Sequence, residues 1–117
     1  MGIVVGMVMS TLVFPTRTNV RWDKNENDLV TIFQEKKLRS FEKRISKIFG
    51  TPTEVKRPLD EMNSALWLLM DGTNNLSQII AILDDVFAEK IAPAPERISK
   101  SIAEFCNLGL VDLVKHP

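Results

Sequence analysis

A chain of 117 residues with 44% hydrophobic and 26% charged residues suits one domain with its own core, with no need for a metal or disulfide staple. Its 15 basic and 15 acidic residues cancel, yet a cut after Leu59 leaves 11 basic against 6 acidic residues before it and 4 against 9 after it, so the halves carry +5 and −5. Such asymmetry marks either a binding face or two halves that solvate and pair with each other. The lone Cys106 excludes an internal disulfide and fits a reducing, cytoplasmic setting.

The chain opens on MGIVVGMVMSTLVF, too short an apolar run to span a bilayer. Three readings compete for it: a flexible leader, an added strand, or an early start codon with Met7 or Met9 as the true start. Gly2 and Gly6 weaken any regular element, which favours a flexible apolar leader over 1–18, with the domain proper at 19–117. Residues 19–34, NVRWDKNENDLVTIFQ, read as a β-hairpin about a KNEN turn, with Val20 and Trp22 on one side. In KKLRSFEKRISKIFG, Leu38, Phe41, Ile45, Ile48 and Phe49 fall at helical spacing, and Arg39, Lys43, Arg44 and Lys47 make the other face basic. Gly50 and Pro52 end that helix. TEVKRPL, 53–59, is compatible with a third strand, and Pro58 assigns it an edge or terminal position because proline donates no ladder bond.

Asp60 is placed to cap a helix carrying Met62, Leu66, Leu69 and Met70, with Trp67 beside them and Gly72 as the stop. Asn75 and Gln78 form a weak capping box for a second helix through Leu76, Ile79, Ile80, Leu83 and Phe87. The APAP stretch at 92–95 interrupts it, Pro95 opens a third helix running to about Leu108, and Gly109 caps it ahead of a short strand, LVDLV. Ile98, Ile102, Phe105 and Cys106 form the inward pattern of that helix. Strands segregated from helices predict an α+β domain: a small antiparallel three-stranded sheet followed by a three-helix bundle, with an extra basic helix between strands 2 and 3. The same order describes a winged helix-turn-helix.

Catalytic chemistry has little to work with. There is one histidine, His116, next to the C-terminus, and no tyrosine; general acid–base or nucleophilic catalysis needs matched partners within hydrogen-bond reach. The adjacent carboxylates Asp60-Glu61 and Asp84-Asp85 diverge by about 100° on a helix and read as a cap and a solvated face. One Cys and one His offer no zinc spacing, and no glycine-rich phosphate loop occurs. The expectation is a non-enzyme without catalytic residues, metal or cofactor. Nucleic acid is disfavoured as well: between Asn75 and Gly109 only Lys90, Arg97 and Lys100 stand against five acidic residues, and phosphate contacts supply most DNA affinity.

The segment PLDEMNSALWLLMDGTNNLSQIIAILDDVF, with Leu59, Asp60, Glu61, Ser64, Trp67, Asp71, Gly72, Leu76, Ile79 and Leu83 in order, resembles the pyrroloquinoline quinone biosynthesis protein D (PqqD-like) family. SIAEFCNLGLV is similar to that family's closing helix and its Gly-Leu-Val exit. The likeness spans about 19–114 and is strongest over 59–111; it departs at Asn63, where glycine is common, and in the length of the basic helix. The resemblance implies a winged-helix-like domain that binds the leader of a ribosomally made precursor peptide and presents it to a modifying enzyme of the radical S-adenosylmethionine class. The leader would add a strand beside the third strand, meeting Glu54, Val55, Lys56 and Arg57, and would lie against Arg97, Ser101, Glu104 and Leu108 of the third helix. A nucleic-acid-binding winged helix and a purely structural partner subunit are the competing functions, and no membrane partner is expected.

Overall fold

The computed structural model describes residues 11–35 and 54–115. The expected basic helix over 38–49, the first residue of the expected third strand, and His116 lie outside them. The elements run β1 (Phe14–Arg17), β2 (Arg21–Lys24), β3 (Val30–Glu35), β4 (Glu54–Pro58), α1 (Glu61–Leu69), α2 (Leu76–Phe87), a 3-10 turn (Ala88–Ile91), α3 (Ala94–Asn107) and β5 (Val111–Val114). The fold is α+β, with a small antiparallel sheet β2-β3-β4 and three helices, as expected. A second, two-stranded antiparallel sheet joins β1 to β5.

That second sheet corrects the reading of residues 11–18 as part of a flexible leader; the rest of that expected leader, 1–10, lies outside the described residues. Phe14–Arg17 pair in register with Val114–Val111, Arg17 N–H donates to the Met70 carbonyl at 2.9 Å, and Val13 is buried. The carbonyls of Val13 and Thr11 accept the N–H groups of Leu76 and Ser77, the first two donors of α2, which no intrahelical carbonyl can satisfy. Asn75 and Gln78 complete the cap as a reciprocal box, each bond 2.8 Å. The domain therefore extends upstream of the expected boundary at 18.

The hairpin turns over Asn25–Leu29. Asp28 N–H donates to the Asn25 carbonyl, and Asn25 Oδ1 accepts from Asn27 and Leu29. Asp28 takes a positive φ of 61°, which a short polar side chain tolerates in a three-residue loop. At the same end of the sheet, Ser64, buried on α1, accepts Val30 N–H at 2.9 Å and donates to the Leu59 carbonyl at 3.3 Å. One hydroxyl thus closes β3 onto α1 where the ladder ends.

Val30 and Ile32 on β3, Leu66, Trp67 and Met70 on α1, Ile79 and Leu83 on α2, and Ile98 and Ile102 on α3 form one core. Trp67 is central, edge-on to Trp22 with centroids 6.3 Å apart and 5.5 Å from the Phe105 ring. Arg17 spans this region: its Nη1 donates to the Trp67 and Leu68 carbonyls at 2.7 and 3.2 Å, and its guanidinium lies 5.0 Å from the Trp22 ring centroid. A cation at the carbonyl end of α1 is favoured by the helix dipole. α3 ends at Gly109, φ +75°, where Gly109 N–H donates to Cys106 and Leu110 N–H to Phe105. This paired arrangement turns the chain into β5.

Candidate functional site

β4 is an edge. Among the described residues it pairs only with β3, in the register Thr31↔Pro58, Ile32↔Arg57, Phe33↔Lys56, Gln34↔Val55 and Glu35↔Glu54. Leu59 N–H donates to the Val30 carbonyl at 2.8 Å, which fixes the parity of the ladder. In an antiparallel pair the residues that exchange bonds alternate, so Arg57 and Val55 direct their N–H groups to β3 while Lys56 and Glu54 direct theirs away from it. Pro58 shares the outward parity. It is the one β4 residue without a donor, placed where β3 requires none.

The side chains alternate too. Glu54 and Lys56 belong to the outer face, where the Arg21 guanidinium bonds Glu54 at 2.6 Å and sits 4.0 Å from the Phe33 ring centroid, with Lys56 Nζ 5.9 Å from the same ring. These charges are well exposed and contribute little to stability. Val55 and Arg57 belong to the inner face, half-buried. There they line a shallow groove of ≈ 430 Å³ together with Gln34 and Glu35 at the end of β3 and the Asn107–Gly109 corner at the end of α3. That volume is at the lower end of ligand sites and suits a few side chains of an extended segment.

Gln34 crosses the groove floor. Its Nε2 donates to the Leu108 carbonyl at 2.6 Å and its Oε1 accepts Arg57 Nε at 2.9 Å. One amide therefore ties the edge strand, the central strand and the last turn of α3 together. Leu108, 39% exposed, supplies apolar surface beside Val55.

Of the eight residues expected to bind a guest, Val55, Arg57 and Leu108 come together in this groove, and Glu54 and Lys56 contribute their outward backbone groups. Arg97, Ser101 and Glu104 are outside its lining. They climb α3 away from it at roughly 1.5 Å per residue, so only the last turn of the helix meets the strand. Gln34 was absent from the expected site, although a signal existed: it is a polar residue at the inward parity of a strand whose other inward positions are Val30 and Ile32.

The carboxylates considered for chemistry have structural or solvated settings. Asp60 Oδ1 accepts Asn63 N–H at 2.8 Å as the α1 cap, and Asp84 and Asp85 are exposed. Asp71 accepts both the hydroxyl and the backbone N–H of Thr73, at 2.6 and 2.9 Å. The Thr73 hydroxyl chiefly, then its N–H, holds the Asp71 carboxyl below the usual aspartate value, with a small contribution from Arg17. Cys106 is half-buried, and burial, with the nearby Asp112 charge, pushes its thiol up, away from the thiolate a nucleophile needs. Among the described residues no group of three His, Cys, Asp or Glu side chains could hold a metal ion, and no helix is long and apolar enough to cross a membrane. No family model, no curated protein and no solved structure matches the chain.

Proposed function

We propose that this chain is a non-enzymatic peptide-binding module that captures an extended segment along β4 by strand addition and presents it to a modifying enzyme. The observation that carries the reading is the parity of β4: its outward donors at Glu54 and Lys56 and the outward carbonyls form a ladder edge, unpaired among the described residues, directly beside a groove. Backbone bonds along such an edge give affinity, and alternate side-chain pockets give selectivity. The resemblance to PqqD-like proteins supports the same use of the strand and supplies the expected partners, the leader of a precursor peptide and an enzyme of the radical S-adenosylmethionine class. In this reading the domain is winged-helix-like, with β2-β3-β4 as its sheet and α1 to α3 as its bundle.

The test is selection of a displayed library of random linear peptides on the immobilised protein, in parallel on Lys56→Pro and Lys56→Ala, followed by fluorescence anisotropy of labelled winners. Peptides should enrich on the wild type and lose binding on Lys56→Pro, which removes an outward donor and no ladder bond to β3, and should keep binding on Lys56→Ala, which removes the same ammonium but leaves the donor. Binding that survives Lys56→Pro, or no enrichment at all, would defeat strand addition on β4. A mixed-sequence DNA duplex is the control: binding at physiological salt that collapses as salt rises would support the nucleic-acid reading instead.

A further inference from the structure

We infer that the groove selects a guest carrying an acidic side chain two residues from an aliphatic one, with Arg57 as the residue that reads the acid; this rests on the strand-addition reading above. Arg57 is half-buried, and its Nε is committed to Gln34, which is itself anchored to the Leu108 carbonyl. The guanidinium is thereby held in one orientation, while its two terminal amino groups have no hydrogen-bond or carboxylate partner among the described residues. Arg17 and Arg21 differ in this respect, the first capping α1 and the second bonded to Glu54. Arg57 is thus a half-buried cation with no counter-charge among the described residues. A carboxylate meeting that pre-oriented fork would gain paired charge-assisted bonds.

The strand geometry sets the spacing. Val55 and Arg57 lie two residues apart on the inner face, so a strand added to the free edge places two of its own alternate side chains opposite them, Cβ atoms about 4.5–5.5 Å away. The position opposite Val55 also faces Leu108, the apolar end of the groove, and takes an aliphatic side chain. Glu35 lines that same end of the groove, so an acid there would meet like charge. The acid therefore belongs at the Arg57 end. Lys56 does not compete for it, because it lies on the other face beside Phe33.

The experiment sequences the peptides enriched from the same random library on wild type, Arg57→Glu and Arg57→Gln, each first checked for folding by thermal unfolding. Wild-type winners should share Asp or Glu two positions from Val, Leu or Ile. On Arg57→Glu the acidic position should turn to Lys or Arg with the aliphatic position kept. A labelled wild-type winner should bind Arg57→Glu more than about tenfold more weakly, and exchanging its acid for Lys should reverse that loss. Should Arg57→Glu fail to fold, Arg57→Gln, neutral and still able to reach Gln34, should lose the acidic preference without inverting it. If winners depend on the Lys56 donor yet show no acidic position, or keep it on Arg57→Gln, the inference is wrong and strand addition stands. If nothing enriches, or Lys56→Pro is without effect, both fall.

Discussion

Trp67 offers a quantitative test of the core because its two ends face opposite demands. The side chain is 0% exposed, packed edge-on to Trp22 and tilted against Phe105, yet its indole Nε1 is buried without a hydrogen-bond partner. Trp67→Ala removes the ring and leaves a cavity, which costs about 3–5 kcal/mol, a large share of the ~5–15 kcal/mol available to a domain. Trp67→Phe is a different perturbation. A residual cavity of roughly 40 Å³ at ~24 cal/mol per Å³ costs about 1 kcal/mol, and the lost apolar transfer adds about 1–1.5 kcal/mol. Against this, removing an unpaired buried donor relieves about 1–3 kcal/mol. The net loss for Trp67→Phe should stay below about 1.5 kcal/mol, no more than about half that of Trp67→Ala. Urea unfolding followed by far-ultraviolet circular dichroism, with unchanged m-values, measures both. If the phenylalanine variant loses as much as the alanine variant, the indole N–H is bonded in solution and the account of its burial is wrong.

Val55→Pro should remove an inward ladder bond and lower the unfolding midpoint clearly, whereas Lys56→Pro should unfold close to the wild type, because its lost donor faces away from β3; equal losses at both positions would make β4 an interior strand. Arg17→Met keeps much of the apolar stem over Trp22 but frees the Trp67 and Leu68 carbonyls, and should cost about 1.5–3 kcal/mol in chemical denaturation; a near-neutral result would show that water caps α1 equally well. Asp71 has a depressed folded pKa, so its stabilisation is fully present above the unfolded value of about 3.9 and is lost as pH falls below that through the folded value. The stability gap between wild type and Asp71→Asn should accordingly hold from neutral pH to about 5 and close below about 4; a gap independent of pH would remove charge from the explanation.

Elements whose signals are local were legible in the sequence. Asp60, Asn75 with Gln78, and Gly109 each act within a few residues of themselves, and each caps the helix end expected of it. Pro58 marked the edge strand for the same reason. β1 was not legible, because nothing within FPTR defines a strand; its partner β5 lies at the other end of the chain, and extended pairing over that separation leaves no periodic trace in four residues. The approach of α3 to β4 was misjudged for a related cause. Helical spacing put Arg97, Ser101, Glu104 and Leu108 on one flank, but periodicity carries no information about the angle at which a helix meets a sheet, and of the four only Leu108, just past the helix end, lines the groove.

If β4 receives a guest strand as proposed, its alternation separates two tasks that a binding strand must otherwise combine. Residues 55 and 57 turn their backbone inward to β3 and their side chains into the groove, while residues 54 and 56 turn their backbone outward and their side chains to the opposite face. In strand addition the outward groups of 54 and 56 bond any extended backbone regardless of its sequence, so they set affinity. The side chains of Val55 and Arg57 meet the guest's alternate side chains, so they set selectivity. The two properties can then change independently: a substitution of the Lys56 side chain alters the outer face without touching the groove, and one at Arg57 alters the groove without removing an outward donor. Gln34 is the exception, since it fixes Arg57 and Leu108 at once. On the proposed reading, a single change there should loosen both Arg57 and the apolar wall beside it, with the effect falling on selectivity while the backbone edge remains intact.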